Sequence, residues 1–402
     1  MTEAFICDAV RTPIGRYGGG LANIRADDLG ALPMAALLER NTGLDPAAID
    51  EVYYGCANQS GEDNRNVARM SALLAGLPNI VPGVTLNRLC ASGMEAIGAA
   101  ARAIRCDEQS LAISGGVESM TRAPFVLGKT DQPFGRNAKL EDTTMGWRFV
   151  NPALDALYGT EAMPRTGENV ATEYAVGRIE QDGFAARSQQ RAAIAQDNGF
   201  FSEEIIPVTL QGKKGSQPSQ MTVDEHLRPD TSIDTLAKLK PIFGPDGSIT
   251  AGNASGINDG AAAMFVASEA AAKAQGLTPR ARILGMASAG VEPRVMGIGP
   301  ITAVQKLMAR LNLSIGDFDA IELNEAFASQ SLAVMRCLGL PDDASHVNPN
   351  GGAIALGHPL GMSGARIVMT LVHQLEKSGG KLGLATLCVG VGMGLALVVE
   401  RV

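Results

Sequence analysis

Histidine, aromatic residues and paired cysteines are all scarce in this chain. Its 402 residues include 4 histidines and 6 cysteines, and aromatic side chains make up 4% of it. The cysteines are widely scattered, with no Cys-X-X-Cys pair, so their spacing argues against a zinc site and we expect no bound metal. With few large rings available, the core must rely on close approach between backbones, for which the 47 glycines are suited.

Positive charge is also in short supply. The formal net charge is −8, which argues against a nucleic-acid partner because phosphate binding needs clustered lysine and arginine. This balance does not exclude an anionic small ligand, since a local basic patch can act within an acidic protein.

Signals for export and membrane insertion are missing as well. Residues 1–6 have no basic stretch ahead of an apolar one, so we predict no secretory signal and expect a cytoplasmic protein. The most apolar stretch, residues 382–399, is about the minimum length of a membrane span, but glycines interrupt it. We interpret it as two buried strands joined by a tight turn, and we expect no membrane contact.

The pattern of apolar residues predicts an α/β architecture built from two similar halves. Apolar runs alternate with helix-spaced segments, and three landmarks recur at a nearly constant separation along the chain. The matching segments are 49–55 with 318–324, 90–93 with 362–364, and 111–116 with 385–390. Short matches of this kind also arise by chance in a chain rich in glycine and alanine. We predict an N-terminal half formed by residues 1–120 and 251–275, and a C-terminal half formed by residues 276–402.

Residues 121–250 differ in character from the two halves. They contain the single tryptophan, Trp147, and are richer in charge, proline and polar turns. The segment 181–196 has a helical pattern, so the whole stretch is too long and too structured for a plain loop. We predict an inserted loop or lid domain that covers a site.

Cys90 and His358 are the first candidates for chemistry. Cys90 directly precedes a Ser-Gly pair and a helix-patterned stretch, and the positive end of a helix favours a thiolate. His358 lies in a glycine-rich, uncharged turn and is the candidate base that would activate the thiol. Taken alone, Cys90 also fits a small buried core residue, and His358 fits a buried histidine bonded to a carbonyl.

Cys388 and Asn324 point to a second centre. Joining two thioesters through a carbon–carbon bond needs a base at the α-carbon, and a thiolate can serve. The turn after Cys388 is rich in glycine, and its backbone amides can stabilise an enolate oxygen. Asn324, at a predicted strand exit, can hold a water that polarises a carbonyl. A buried core cysteine and a helix cap are the alternative interpretations.

Together these segments resemble the thiolases, the acyl-CoA acetyltransferases that make or cleave 3-ketoacyl-CoA. The likeness runs from residues 8–15 to residues 388–392. It implies the thiolase fold, in which two βαβαβαββ halves stack in five α-β-α-β-α layers and a loop domain is inserted into the first half. It also implies a homodimer or homotetramer with sheet edges paired across subunits.

The resemblance implies a role for each candidate. Cys90 would be the acylated nucleophile, His358 its activator and a donor to the thioester oxygen, and Cys388 the acid/base at the α-carbon. Asn324 would position the water of a first oxyanion hole, and the amides of Cys90 and Gly390 would form a second. This Cys-His-Cys set favours a thiolase over a ketosynthase, which normally uses one cysteine and two histidines, and over a non-catalytic carrier.

The same resemblance implies that coenzyme A is a substrate, bound under the inserted domain, and that no cofactor is permanently bound. Arg228 would lie near the nucleotide, Ser255 would contact pantetheine, and Met163 would line the acyl pocket. Ala162 stands where biosynthetic thiolases often have histidine, which counts against the branch that makes acetoacetyl-CoA.

Three segments outside the catalytic set are similar to thiolases that act on 3-oxoadipyl-CoA, namely 61–69, 87–90 and 143–149. They imply cleavage of that thioester to succinyl-CoA and acetyl-CoA in aromatic-acid degradation, by the β-ketoadipate or phenylacetate route. A general 3-ketoacyl-CoA or acetoacetyl-CoA thiolase is the alternative.

Met393 and Arg165 depart from the pattern of these relatives. Arg65, Arg88 and Arg148 are candidates for binding the distal carboxylate, and each equally fits a structural ion pair.

Overall fold

The computed structural model of the chain describes residues 2–212 and 217–402. Residues 213–216, part of the predicted insertion, lie outside the described residues. The strands are β1 Phe5–Arg11, β2 Gly15–Arg16, β3 Glu51–Gly55, β4 Gly83–Leu86, β5 Leu111–Ser119, β6 Phe125–Leu127, β7 Leu140–Asp142, β8 Val208–Leu210, β9 Ser219–Met221, β10 Asn258–Ala267, β11 Ala281–Gly290, β12 Ala320–Leu323, β13 Leu382–Val389 and β14 Met393–Arg401.

Twelve α-helices occur within these described ranges. They are α1 Ala26–Arg40, α2 Val67–Leu74, α3 Ser92–Arg105, α4 Pro152–Tyr158, α5 Met163–Glu173, α6 Arg178–Asp197, α7 Ile233–Ala237, α8 Glu269–Ala274, α9 Gly299–Leu311, α10 Ala328–Cys337, α11 Ala353–Leu356 and α12 Leu360–Ser378. Short 3₁₀ turns include Leu89–Ala91 and Pro293–Ile298. Among the described residues, no helix is both long enough and apolar enough to cross a membrane.

The strands form a ten-stranded sheet in the order β12-β13-β14-β11-β1-β10-β5-β3-β4, with β2 beside β10. The two halves of this sheet meet where β1 pairs with β11, at Phe5–Arg282 and Ile6–Ala281. Each half runs βαβαβαββ, as predicted. In the second half the strand equivalent to β4 is reduced to one parallel bridge, Ile321–Val347.

Alternate residues of the central strands belong to different cores, so both faces of each half-sheet are covered. In β10, Met264 joins a central cluster with α3 and α12, whereas Phe265 joins an outer cluster with α1 and α2. In β14, Leu397 joins the central cluster and Val398 joins a second outer cluster with α9 and α10. These contacts confirm the predicted five-layer α-β-α-β-α order.

The chain between β5 and β10 carries the smaller elements β6 to β9 and α4 to α7, and a buried arginine ties it to the sheet. Arg11 of β1 is fully buried and its guanidinium contacts Glu204 at 2.8 Å and Asp224 at 2.7 Å. The hydrogen bonds of these buried charges satisfy both partners, which offsets the cost of removing them from water. The residue limits of the two halves and of the insertion stay predictions.

Candidate active site

Cys90 occupies the 3₁₀ turn Leu89–Ala91, immediately before the first residue of α3. It is half-buried, and the preceding Leu89 has a φ of 47°, a left-handed conformation that costs energy for a leucine. Burial raises the pKa of Cys90 to about 11, although the backbone amides of Gly390 and Cys90 favour the thiolate. The sequence predicted a helix-activated thiolate; in the resting site dehydration outweighs that effect, so the group is a thiol.

His358 is held by contacts on both ring nitrogens and on its backbone. Nδ1 lies 2.6 Å from Ser363 Oγ, whose hydroxyl donates to the carbonyl of Pro359 at 2.8 Å. A hydroxyl that donates there can only accept from the ring, so Nδ1 carries the proton and Nε2 presents a lone pair. The backbone N–H of His358 donates to Asn258 Oδ1 at 2.9 Å.

The imidazole is neutral in this environment. Burial lowers the pKa of His358 to about 4, and the nearby Arg366 guanidinium acts in the same direction. A neutral ring with an unprotonated Nε2 can accept a proton at physiological pH, as a general base must.

Asn324 joins the histidine at the end of β12. It is fully buried, and its Nδ2 lies 3.4 Å from His358 Nε2. Its Oδ1 has no hydrogen-bond partner among the described residues. Asn324 does not cap α10, which begins at Ala328 after Phe327. The helix-cap interpretation is therefore wrong, and the amide is directed at the candidate base.

Cys388 is the more deeply buried thiol. It lies near the end of β13 with 1% of its surface exposed, in an apolar cluster with Ile249, Met296 and Phe327. Burial, and then the neighbouring Cys90, raise the pKa of Cys388 well above that of an ordinary thiol. The influence of Cys90 indicates that the two thiols are neighbours in the fold, although they are far apart in sequence.

Two further polar side chains at this site escaped the sequence analysis. Ser363 sets the tautomer of His358. The sequence signal for this role was its position five residues after the histidine. Glu118 is the penultimate residue of β5 and accepts hydrogen bonds from the backbone N–H groups of Ala57, Asn58 and Gly361 at 2.8–2.9 Å. Burial raises its pKa to about 7. The signal for Glu118 was a single charged residue in an otherwise uncharged, buried strand.

Two neighbouring thiols, and a neutral imidazole in contact with a buried amide, match the comparisons with known proteins. The family model described as the thiolase N-terminal domain matches residues 4–270, and the model for the thiolase C-terminal domain matches residues 277–401. The chain belongs to the thiolase family. Thiolases are acyltransferases, so the chain is an enzyme of that class.

Curated relatives and solved structures are similar over the full length. A beta-ketoadipyl-CoA thiolase of Pseudomonas aeruginosa is 67% identical over 400 residues, covering 100% of this chain and 99% of the relative. A 3-oxoadipyl-CoA/3-oxo-5,6-dehydrosuberyl-CoA thiolase of Escherichia coli K12 is 60% identical, covering 100% of both. Human mitochondrial 3-ketoacyl-CoA thiolase in complex with CoA has a TM-score of 0.90 at 40% identity, covering 100% of this chain and 98% of that one.

Two of the three residues expected to bind coenzyme A or the acyl group lie at the apolar cluster around Cys388, and the third lies on the surface. Met163, the first residue of α5, packs against the apolar cluster that contains Cys388. The backbone N–H of Ser255 donates to the carbonyl of Ala326, in the same cluster, at 2.9 Å. Arg228 is exposed, two residues after His226, whose ring lies against Gly256. Their contacts with a ligand stay predictions.

A small, open cleft lies beside Met163, between the inserted segment and the C-terminal half. Trp147, Tyr158, Arg294 and Val391 also line it. Val391 is the residue after Gly390, so this cleft adjoins the turn that faces Cys90.

The arginines proposed for a distal carboxylate occupy different surroundings. Arg88 forms an ion pair with Glu95 at 2.8 Å, and Arg65 is exposed with a φ of 67°. Arg148 is half-buried and directly follows Trp147 of the cleft. Arg294, which the sequence analysis missed, lines the cleft itself, but its guanidinium already contacts Glu173 at 2.7 Å.

Proposed function

We propose that this thiolase cleaves 3-oxoadipyl-CoA with CoA to succinyl-CoA and acetyl-CoA, in the degradation of aromatic acids. The observation that supports the proposal is the pairing of Cys90 with Cys388 and of His358 with Asn324, in a chain 60–67% identical over its whole length to thiolases named for that substrate.

In the first half-reaction, His358 Nε2 accepts the proton of Cys90, and the sulfur attacks the 3-keto carbon. The bond between C2 and C3 then breaks, and its electron pair passes to the acetyl-CoA enolate. The enolate oxygen is stabilised by His358 and by a water held on Asn324. Cys388 donates its proton to the enolate carbon, and acetyl-CoA leaves a succinyl group on Cys90.

In the second half-reaction, the Cys388 thiolate takes the proton of an incoming CoA thiol. The CoA sulfur attacks the succinyl carbonyl, whose oxygen is stabilised by the amides of Cys90 and Gly390. Cys90 leaves and recovers its proton from His358, so both groups return to their resting states. The buried Cys388 suits this role because a thiolate in an apolar site is a strong base.

The substrate assignment is tested by thiolysis of acetoacetyl-CoA, 3-oxohexanoyl-CoA and 3-oxoadipyl-CoA. We expect the highest kcat/KM for 3-oxoadipyl-CoA, by tenfold or more, which corresponds to about 1.4 kcal/mol of selective binding in the transition state. Mass spectrometry of the quenched reaction should find a succinyl group on the peptide containing Cys90. Equal or better turnover of 3-oxohexanoyl-CoA would instead assign a general 3-ketoacyl-CoA thiolase.

The remaining parts of the proposal concern assembly, location and coenzyme A. We infer a cytoplasmic homodimer or homotetramer with CoA as a substrate and no resident cofactor. Strand β4 lies at one end of the sheet, and the hairpin of β6 and β7 exposes Phe125, Leu127 and Leu140. A free sheet edge and an apolar hairpin both favour contact with a second copy. Analytical ultracentrifugation tests this, and a monomer at micromolar concentration would contradict it.

A further inference from the structure

A buried ion pair lies beside the catalytic groups and has no role in the mechanism above. Arg366 of α12 and Glu322 of β12 are each 1% exposed, and Arg366 Nη1 lies 3.0 Å from Glu322 Oε2. Burying two charges costs several kcal/mol of desolvation, and the pair often contributes little net stability. The position of the pair beside His358 and Asn324 is therefore more informative about its role than its contribution to folding stability.

The pair connects the two elements that orient His358. Glu322 is two residues before Asn324, so both side chains lie on the same face of the strand. Arg366 is three residues after Ser363, so both lie on the same side of α12. The ion pair therefore links the strand that leads into Asn324 with the helix that supplies the partner of His358 Nδ1.

We propose that Arg366 and Glu322 are positioning residues that hold Asn324 and His358 in their catalytic arrangement. This inference rests on the proposed function of His358 as the base. The contact of Asn324 with His358 is 3.4 Å long, near the limit for a hydrogen bond, so a small shift of β12 relative to α12 would remove it.

The charge of Arg366 adds an electrostatic contribution. Burial lowers the pKa of His358 first, and Arg366 lowers it further. Other titratable groups face this region. Burial raises the pKa of Glu322 itself to about 8 although Arg366 acts against it, and burial also raises the pKa of Glu325, which follows Asn324. Glu204 approaches from the insertion, and Glu118 contacts Gly361 from β5. Because Arg366 is the cation that acts on the imidazole, its removal should make His358 easier to protonate.

The experiment compares wild type with Arg366→Met and with the double variant Arg366→Met/Glu322→Leu. The double variant removes both buried charges, so it should fold even if the single variant does not. Circular dichroism and thermal unfolding verify folding. Arg336→Met, which breaks a remote surface ion pair with Asp342 and Glu180, is the control.

The readout is the pH profile of kcat/KM, measured with the 3-ketoacyl-CoA that wild type cleaves best. The test therefore does not depend on whether 3-oxoadipyl-CoA is the preferred substrate. We expect kcat of the double variant to fall about tenfold or more with KM for CoA little changed, and the acidic limb to move to higher pH. Arg366→Lys should return that limb toward wild type. A folded double variant with unchanged kcat, or with lower kcat and an unmoved limb, would overturn the proposal. If wild type cleaves no 3-ketoacyl-CoA, the proposed function itself fails before any variant is compared.

Discussion

The turn that carries Cys90 and the hairpin that carries Cys388 contain the same reactive group in different surroundings. Cys90 is half-buried at the start of α3, where substrate can reach it and backbone amides favour its thiolate. Cys388 lies within a strand among apolar side chains, where its thiolate is strongly disfavoured. Environment, rather than residue type, therefore separates a nucleophile from a proton carrier.

The two regions are also coupled. Gly390, two residues after Cys388, directs its amide toward Cys90, so the hairpin contributes to the site of the other thiol. The turn between β13 and β14 makes this possible because Val391 and Gly392 both adopt positive φ, at 64° and 80°.

The largest expected effect separates the roles of the two thiols. Cys90→Ala should abolish both half-reactions, with a loss on the order of 10⁶ in kcat, as for other catalytic nucleophiles. Cys388→Ala should slow thiolysis by about 10²–10⁴, the usual contribution of a general acid or base. It should slow exchange of labelled CoA into succinyl-CoA less than thiolysis, because exchange uses Cys388 only to take the proton of CoA, for which water can substitute, whereas thiolysis also needs Cys388 to protonate the enolate. An equal loss of exchange and thiolysis would show that the thiols do not divide the chemistry.

Alkylation tests the difference in exposure directly. Iodoacetamide should modify Cys90 long before Cys388, and acyl-CoA should protect it. Because the pKa of Cys90 is raised to about 11, the rate should rise roughly tenfold per pH unit from pH 7 towards that value. Peptide mapping by mass spectrometry identifies the modified residue. A rate that is already maximal at pH 7 would mean that His358 holds the resting site as an ion pair.

The hairpin turn can be tested without touching either thiol. A Cβ on Gly392 would meet the carbonyl oxygen of Val291 at 2.2 Å, and the residue has positive φ. We expect Gly392→Ala to lower the free energy of unfolding by about 1–3 kcal/mol, measured by urea denaturation. Gly276→Ala is the matched control, since it also has positive φ but meets no atom within 4 Å. Equal losses for both variants would show that the backbone angle alone, and not the close packing of the turn, sets the cost.

The smallest expected effect concerns binding of the distal carboxylate of the substrate near the hairpin that carries Cys388. Arg148→Met should raise KM for 3-oxoadipyl-CoA several-fold, on the scale of one exposed charge interaction of about 1 kcal/mol, and leave 3-oxohexanoyl-CoA unchanged. Arg88→Met, which breaks the pair with Glu95, should affect both substrates alike. Equal losses for Arg148→Met on both substrates would remove Arg148 from substrate recognition.

Much of the architecture could be predicted from the amino-acid pattern. Residues 382–399 do form two buried strands joined by a tight turn, and the predicted helix at 181–196 lies within α6 Arg178–Asp197. These features depend on local periodicity and on glycine, which act over a few residues. The reduction of the counterpart of β4 to a single bridge in the second half could not be predicted, because strand pairing depends on partners far away in sequence.

The sequence by itself determined the family, the order of the elements and the identity of the reactive groups, since these follow from residue types and their spacing. Only the tertiary structure decided their protonation states. The thiol form of Cys90, the neutral ring of His358 and the supporting contacts of Ser363, Glu118 and Arg366 all arise from burial and from distances between remote segments. Dehydration acts on whatever lies nearby in space, and that neighbourhood exists only once the two halves have packed together.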